Sequence, residues 1–184
     1  MILMYIPPIE KNTFRNCESL TSVTLPTYCY DIKESAFEGC KRLQSISIPD
    51  ECNHIYRNAF KGCKSLQTMS YGTNLYEIHE NAFLGCSNLT TITVPSTNIL
   101  EEIGDKAFYG CYELTNAPIG SIKRVGKYAF YNNFSLTSIT LPATVDYIND
   151  YAFGNCKNLS TLTNNSPANA DFGENVFLGT NISI

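Results

Sequence analysis

ESAFEGCKRLQSISIP, residues 34–49, sets an Ala-Phe pair, a glycine and a cysteine ahead of an alternating apolar run that closes on proline. Taken alone, Cys40 in this stretch reads equally as a nucleophile, a metal ligand, half of a disulfide or a building block. The stretch recurs, and the recurrence separates these readings. Phenylalanine returns at Phe14, Phe37, Phe60, Phe83, Phe108, Phe130, Phe153 and Phe177, at intervals of 23, 23, 23, 25, 22, 23 and 24 residues. Alanine precedes it except at Thr13 and Val176. Three positions after it stand Cys17, Cys40, Cys63, Cys86, Cys111, Asn133, Cys156 and Thr180. Six positions after it come Leu20, Leu43, Leu66, Leu89, Leu114, Leu136 and Leu159. Five before it come Ile9, Ile32, Ile55, Ile78, Ile103, Val125, Ile148 and Phe172. Self-similarity at this period marks a repeat architecture.

A position that accepts cysteine six times, and Asn133 or Thr180 without loss of phase, serves every coil alike. Catalysis would need it once. Cys29 and Cys52 fall three residues before the repeat isoleucine, where Ile6, Leu75, Leu100, Ile122 and Val145 stand elsewhere. Cysteine acts there as a small hydrophobe. Stacked coils bring such residues within the roughly 4.4–6.8 Å Cα separation of a disulfide, but parallel side chains have the wrong torsion, so free buried thiols are expected.

The unit LxxIxI followed by proline reads as a short strand: Leu20-Val23-Leu25-Pro26, Leu43-Ile46-Ile48-Pro49, Leu89-Ile92-Val94-Pro95 and Leu136-Ile139-Leu141-Pro142. Its last two apolar residues share a face, and its β-branched residues favour extension. The proline ends it. ESAFEGC lacks alternation and is too short for a free-standing helix, so a single helical or 3₁₀ turn is expected. One unit of this size cannot bury its apolar face alone; stacked units can. The expectation is a solenoid with a parallel ladder of seven short strands on one side and turns on the other. The stack would be a rod of about 30–35 Å at ~4.8 Å per strand.

The whole chain, 1–184, reads as one domain of seven to eight 22–25-residue repeats, or as a segment of a longer array. At 43% hydrophobic and 16% charged residues it carries enough apolar surface for an ordered core. A net charge of −4 lacks the basic concentration of a nucleic-acid binder. No apolar run reaches the ~20 residues of a membrane span. The opening MILMYIPPIEK has neither a basic n-region nor a long h-region, so no signal peptide is read there. MILMYI and the closing GTNISI lack polar caps, which favours a segment of an array or end-to-end self-association. Light scattering tests the pairing: a clean monomer at high concentration rules it out.

LxxIxIP…IxxxAFxGCxx resembles the BspA-like, or Treponema-type, leucine-rich repeat, from about Ile6 to Phe177. The resemblance implies an α/β, right-handed leucine-rich-repeat solenoid. It further implies a non-enzymatic surface protein, an adhesin or antigen that contacts host or extracellular-matrix proteins, with a cell-surface or secreted location. An intracellular protein-binding scaffold of the same repeat is the alternative. The pattern lapses at LTNAPIG, where Ala117 replaces isoleucine, and at LSTLTNN, where Asn164 and Asn165 replace the last apolar residue and proline. Regular packing is not expected at either.

The outward residues of each strand are Ser22/Thr24, Ser45/Ser47, Thr68/Ser70, Thr91/Thr93, Asn116/Pro118, Ser138/Thr140 and Thr161/Thr163. All but one pair are hydroxyl residues. Three readings stand: small residues tolerated on a crowded sheet, a polar face for a protein or glycan, and an ice-binding threonine ladder, which a curved sheet of mixed Ser and Thr fits poorly. EEIGDK (101–106) and IKRVGK (122–127) place acidic and basic runs on neighbouring coils; such pairs are worth ~0–1 kcal/mol. The two-residue insertion around STNILEEIG enlarges a loop, a common seat of specificity. His54 and His79 flank repeat isoleucines near the surface. No CxxC, HExxH, GxSxG or phosphate loop is present, so no catalytic residue, cofactor or metal site is assigned. Five N-x-S/T sequons begin at Asn88, Asn133, Asn158, Asn164 and Asn181; Asn164 reads as the most accessible.

Overall fold

Residues 9–182 are described by a computed structural model. Ile6, most of the apolar opening and the last two residues lie outside them. Successive coils are numbered here by their phenylalanines, from Phe14 (coil 1) to Phe177 (coil 8). The repeat isoleucines build the longest ladder, seven parallel strands in coil order: β1 (Asp31–Ile32), β3 (His54–Ile55), β5 (Glu77–Ile78), β7 (Glu102–Ile103), β8 (Arg124–Val125), β10 (Tyr147–Ile148) and β12 (Asp171–Phe172). Each isoleucine position stands opposite its counterpart, as in Ile32↔Ile55 and Ile55↔Ile78, so every coil repeats the register of the last.

The LxxIxI segments form two smaller parallel sheets. One holds β2 (Ser45–Ser47), β4 (Thr68–Ser70) and β6 (Thr91–Thr93); the other holds β9 (Ser138–Leu141) and β11 (Thr161–Asn164). The expected seven-strand ladder on this side is therefore corrected: residues 22–25 and 116–118 form no strand. In coil 5 the physical reason is visible. The side-chain amide of Asn116 takes the place of a peptide group, its Oδ1 accepting from Ile92 N at 3.2 Å and its Nδ2 donating to Ile92 O at 2.8 Å. Pro118 brings no N–H of its own. Coil 7, where irregularity was expected, pairs regularly through Asn164↔Leu141, because backbone pairing does not depend on an apolar side chain at the last position.

The expected helical turn, and with it the α/β class, is corrected as well: among the described residues there is no helix. The Ala-Phe segments are tight turns with one left-handed residue two before the phenylalanine and another two after it. Ser35 (φ 55°) and Gly39 (φ 75°) do this in coil 2, Asn58 (φ 57°) and Gly62 (φ 73°) in coil 3. Residues in that region cannot propagate a right-handed helix, and glycine and asparagine enter it at least cost. The backbone instead bonds outward. Phe37 N donates to Ala59 O of the next coil at 2.7 Å, and the same bond recurs from Phe60 to Ala82 and from Phe130 to Ala152.

The phenylalanine rings form one column through all eight coils, with centroids 5.0–5.6 Å apart and planes within 15° of parallel. This spacing is close to that of paired strands, so backbone ladder and aromatic stack run in step. Phe37, Phe60, Phe83, Phe108, Phe130 and Phe153 are wholly buried. Phe14 and Phe177 are only half-buried, which corrects their place in the core.

All eight cysteines are free, and seven are buried. Cys17 is the correction: it is exposed, because in coil 1 its turn stacks on one described coil only. The buried repeat thiols share one contact. Cys40, Cys63, Cys86, Cys111 and Cys156 each donate S–H to the phenylalanine carbonyl of the preceding coil at 3.1–3.4 Å. Burial pushes the Cys40 thiol up to about 11, and Cys52 and Cys156 up to about 12. Such thiols carry negligible thiolate at neutral pH. Ellman's reagent on the native chain should therefore modify one cysteine fast and the other seven only on unfolding, with the fast phase abolished by Cys17→Ser. A second fast cysteine would contradict the packing.

Candidate functional site

The hydroxyl residues stand on the outer face of the two small sheets in register. Ser45 lies opposite Thr68, which lies opposite Thr91; Ser47, Ser70 and Thr93 form the second row. Across the gap of coil 5, Ser138 and Thr140 stand opposite Thr161 and Thr163. All are exposed except Ser70, which is half-buried and donates to Ser47 Oγ at 3.0 Å. Ser22 and Thr24 are exposed too, but on a segment that has left the sheet. The inward partners Ile46, Met69, Ile92 and Ile139 are at most 4% exposed. This face is polar, uncharged and two residues wide, and it offers hydroxyl donors and acceptors with no acid or base among them.

A second face escaped the sequence reading. The residue before each ladder isoleucine points outward, giving the row Asp31, His54, Glu77, Glu102, Arg124, Tyr147 and Asp171 in register. Part of its charge is held in ion pairs, within the row or with the residues beside it, while among the described residues Glu77 and Asp171 have no lysine or arginine partner. Asp31 accepts from Lys33 at 2.8 Å and faces His54 Nδ1 at 3.0 Å; Arg124 binds Glu102; Lys123 binds Glu101 at 2.9 Å. Glu101 and Glu102 of the acidic run on coil 5 thus pair with Lys123 and Arg124 of the basic run on coil 6, while Lys127 reaches Asp150 of coil 7. Gly104 and Gly126 sit on this face because a Cβ there would come within 2.6 Å of the preceding coil's backbone. Their bare backbone, with Glu77, Glu102, Arg124 and Tyr147, lines a cavity of about 310 Å³. The signal the sequence offered was the phase of the repeat isoleucine itself, whose preceding residue in each two-residue strand belongs to this row.

His54 and His79 lie on adjacent coils with ring centroids 5.9 Å apart. His79 Nδ1 faces Glu77 at 3.2 Å while its Nε2 is buried with no partner. Burial lowers the His79 pKa from its ordinary value; Glu77, Glu102 and Asp31 oppose this, and His54 adds to it. The folded chain then binds the proton less readily than the unfolded chain. Stability is full above the ordinary histidine range and is lost as pH falls through it. A urea midpoint compared between pH 7.5 and pH 5 should drop less in His79→Gln than in the wild type; an equal drop would assign the acid sensitivity elsewhere.

Among the described residues no group of three or more His, Cys, Asp or Glu side chains converges to hold a metal. Of the sequons, Asn133 is wholly buried, while Asn88, Asn158, Asn164 and Asn181 are exposed. In the insertion, Asn98 Oδ1 accepts from Leu100 N at 3.0 Å, which folds the loop back on itself.

Repeated coils, two parallel faces and a continuous buried column define a leucine-rich-repeat scaffold. The chain belongs to the BspA type leucine rich repeat family, whose region matches residues 7–133 and 97–184. A leucine-rich repeat protein of T. pallidum is similar at 33% identity and a TM-score of 0.78, over 86% of this chain and 76% of that one. One from Bacteroides ovatus shares the fold at 24% identity and a TM-score of 0.62, over 88% of this chain. The present chain spans half the length of that second protein. None of the curated proteins matches the chain significantly. Among the described residues no helix is long and apolar enough to cross a membrane.

Proposed function

We propose that the chain works by binding a partner protein through its hydroxyl strand face, in the role of a cell-surface adhesin or antigen. The observation that carries this reading is the contrast between the faces. The seven-strand ladder carries charged side chains, several of them held in ion pairs with each other or with adjacent residues, whereas the hydroxyl rows from Ser45 to Thr93 are uncharged and, Ser70 apart, exposed, with one hydrogen bond between them, Ser70 to Ser47. A neutral hydroxyl surface loses little on desolvation and can pair with backbone groups of a partner. The host or matrix role follows the family resemblance.

The test is surface plasmon resonance against purified extracellular-matrix proteins. Wild type is compared with Ser45→Lys/Thr68→Lys/Thr91→Lys and with Glu77→Gln/Glu102→Gln on the seven-strand ladder. Binding lost in the first variant and kept in the second supports the reading; the reverse pattern sinks it. Eight free thiols favour the second reading, an intracellular scaffold. Surface labelling of intact cells separates the two: a chain that is labelled only after lysis belongs inside.

A further inference from the structure

Coil 1 and coil 2 separate along the hydroxyl face. Their backbones bond at Gln44 N→Thr21 O (3.1 Å) and again at Asn53 N→Tyr30 O (2.8 Å), with no backbone bond joining the described residues between those points. On its other side β2 pairs normally with β4. Ile48 N turns toward coil 3 and donates to Ser70 O at 2.8 Å. Successive residues of a strand alternate, so the Ser47 amide and carbonyl turn the other way, toward coil 1. Among the described residues β2 is therefore an open strand edge, the element that protein partners extend by adding a strand.

The opening is a cleft of about 430 Å³. Val23, Thr24 and Leu25 form one wall, and Ser47 and Pro49 the other. Val23 and Leu25 are half-buried and offer apolar contact. Asp50 and Glu51 stand at one end of the cleft, and among the described residues neither has a cation within ion-pairing distance. Asp50 Oδ1 accepts from the Thr73 amide at 3.2 Å.

The geometry points to an extended peptide segment of a partner protein, added as a strand along the free edge of β2, with a Lys or Arg at the end that meets Asp50 and Glu51. This rests on the hydroxyl face being the binding surface, since Thr24 and Ser47 belong to both.

The probe is a fluorescein-labelled, capped Lys-Val-Thr-Val-Thr peptide titrated into the full chain and read by anisotropy. Two comparison peptides carry either a fully N-methylated backbone or Glu in place of Lys. Strand addition expects the N-methylated peptide to bind about tenfold more weakly or worse, and the Glu peptide likewise. Asp50→Asn/Glu51→Gln should weaken the parent peptide and flatten its salt dependence. Ser47→Pro should abolish binding with the urea midpoint nearly unchanged. Equal binding of the N-methylated peptide overturns the proposal, as does no binding of the parent peptide up to about 1 mM. If the chain dimerises and Ser47→Pro prevents it, the occupant is a second copy and the proposal falls. Matrix-protein binding that survives Ser47→Pro but is lost in the triple lysine variant overturns the cleft and leaves the face; survival in both removes the face as well.

Discussion

Phe83→Ala should lower unfolding stability by about 3–5 kcal/mol, the largest loss expected from any single side chain in the column. Phe83 is wholly buried and stacks on Phe60 at 5.0 Å and on Phe108 at 5.1 Å. Truncation deletes two ring–ring contacts and leaves a cavity that neighbouring coils cannot close, because their backbones are tied to each other at Phe60 N→Ala82 O and Phe83 N→Ala107 O. Phe83→Leu keeps most of the volume and should lose less. Phe177→Ala, at a half-buried end of the column, should also lose less than Phe83→Ala. Urea titration of the three variants checks the ranking. A Phe83→Ala loss below about 1 kcal/mol would mean that the column is not what joins the coils.

The second large effect has the opposite sign. Asn133 occupies the repeat cysteine position in coil 6, is wholly buried, and leaves both Oδ1 and Nδ2 without partners. Its neighbours in that position solve the problem differently: Cys111 donates to Phe83 O at 3.4 Å and Cys156 to Phe130 O at 3.1 Å. Asn133→Cys removes two unsatisfied polar atoms and supplies the thiol that would reach Phe108 O. A gain of about 1–3 kcal/mol is expected, read as a rise in the urea midpoint. A loss would show that the amide is satisfied in solution, by water or by rearrangement. The position also bears on cooperativity. The coil 5 to coil 6 junction lacks both this thiol bond and strand pairing at 116–118, so coils 6 to 8 should open as a unit at lower cost than coils 2 to 4.

The aromatic column was legible because eight rings in one phase leave no other common interior, and the buried thiols followed from the same phase. The seven-strand ladder was not. Its strands are two residues long, and an isoleucine between Asp31 and Lys33, or between His54 and Tyr56, is too short a run to show alternation. The turns misled for a related reason. Phe37 and Cys40 are spaced as on a helix, while the residues that forbid one, Ser35 and Gly39, carry that information only in their backbone angles. Asn58 and Asn81 at the equivalent site were the available signal. Coil 5 was rightly expected to be irregular, yet no pattern shows that Asn116 would repair it with its own amide. Of the candidate site, the hydroxyl rows could be read from alternation; the cleft between coils 1 and 2 could not, because it arises where a segment with the right pattern, Leu20-Val23-Leu25, fails to pair.

The stack holds together because each coil is fastened to the next at its phenylalanine. Native-state hydrogen exchange measured by NMR tests this residue by residue. The amides of Phe37, Phe60, Phe83, Phe108, Phe130 and Phe153 each donate to the following coil at 2.7–3.0 Å. They should exchange only through opening of the stack, far more slowly than the exposed loop amides of Ser96 and Thr97. Phenylalanine amides that exchange as fast as that loop would contradict it.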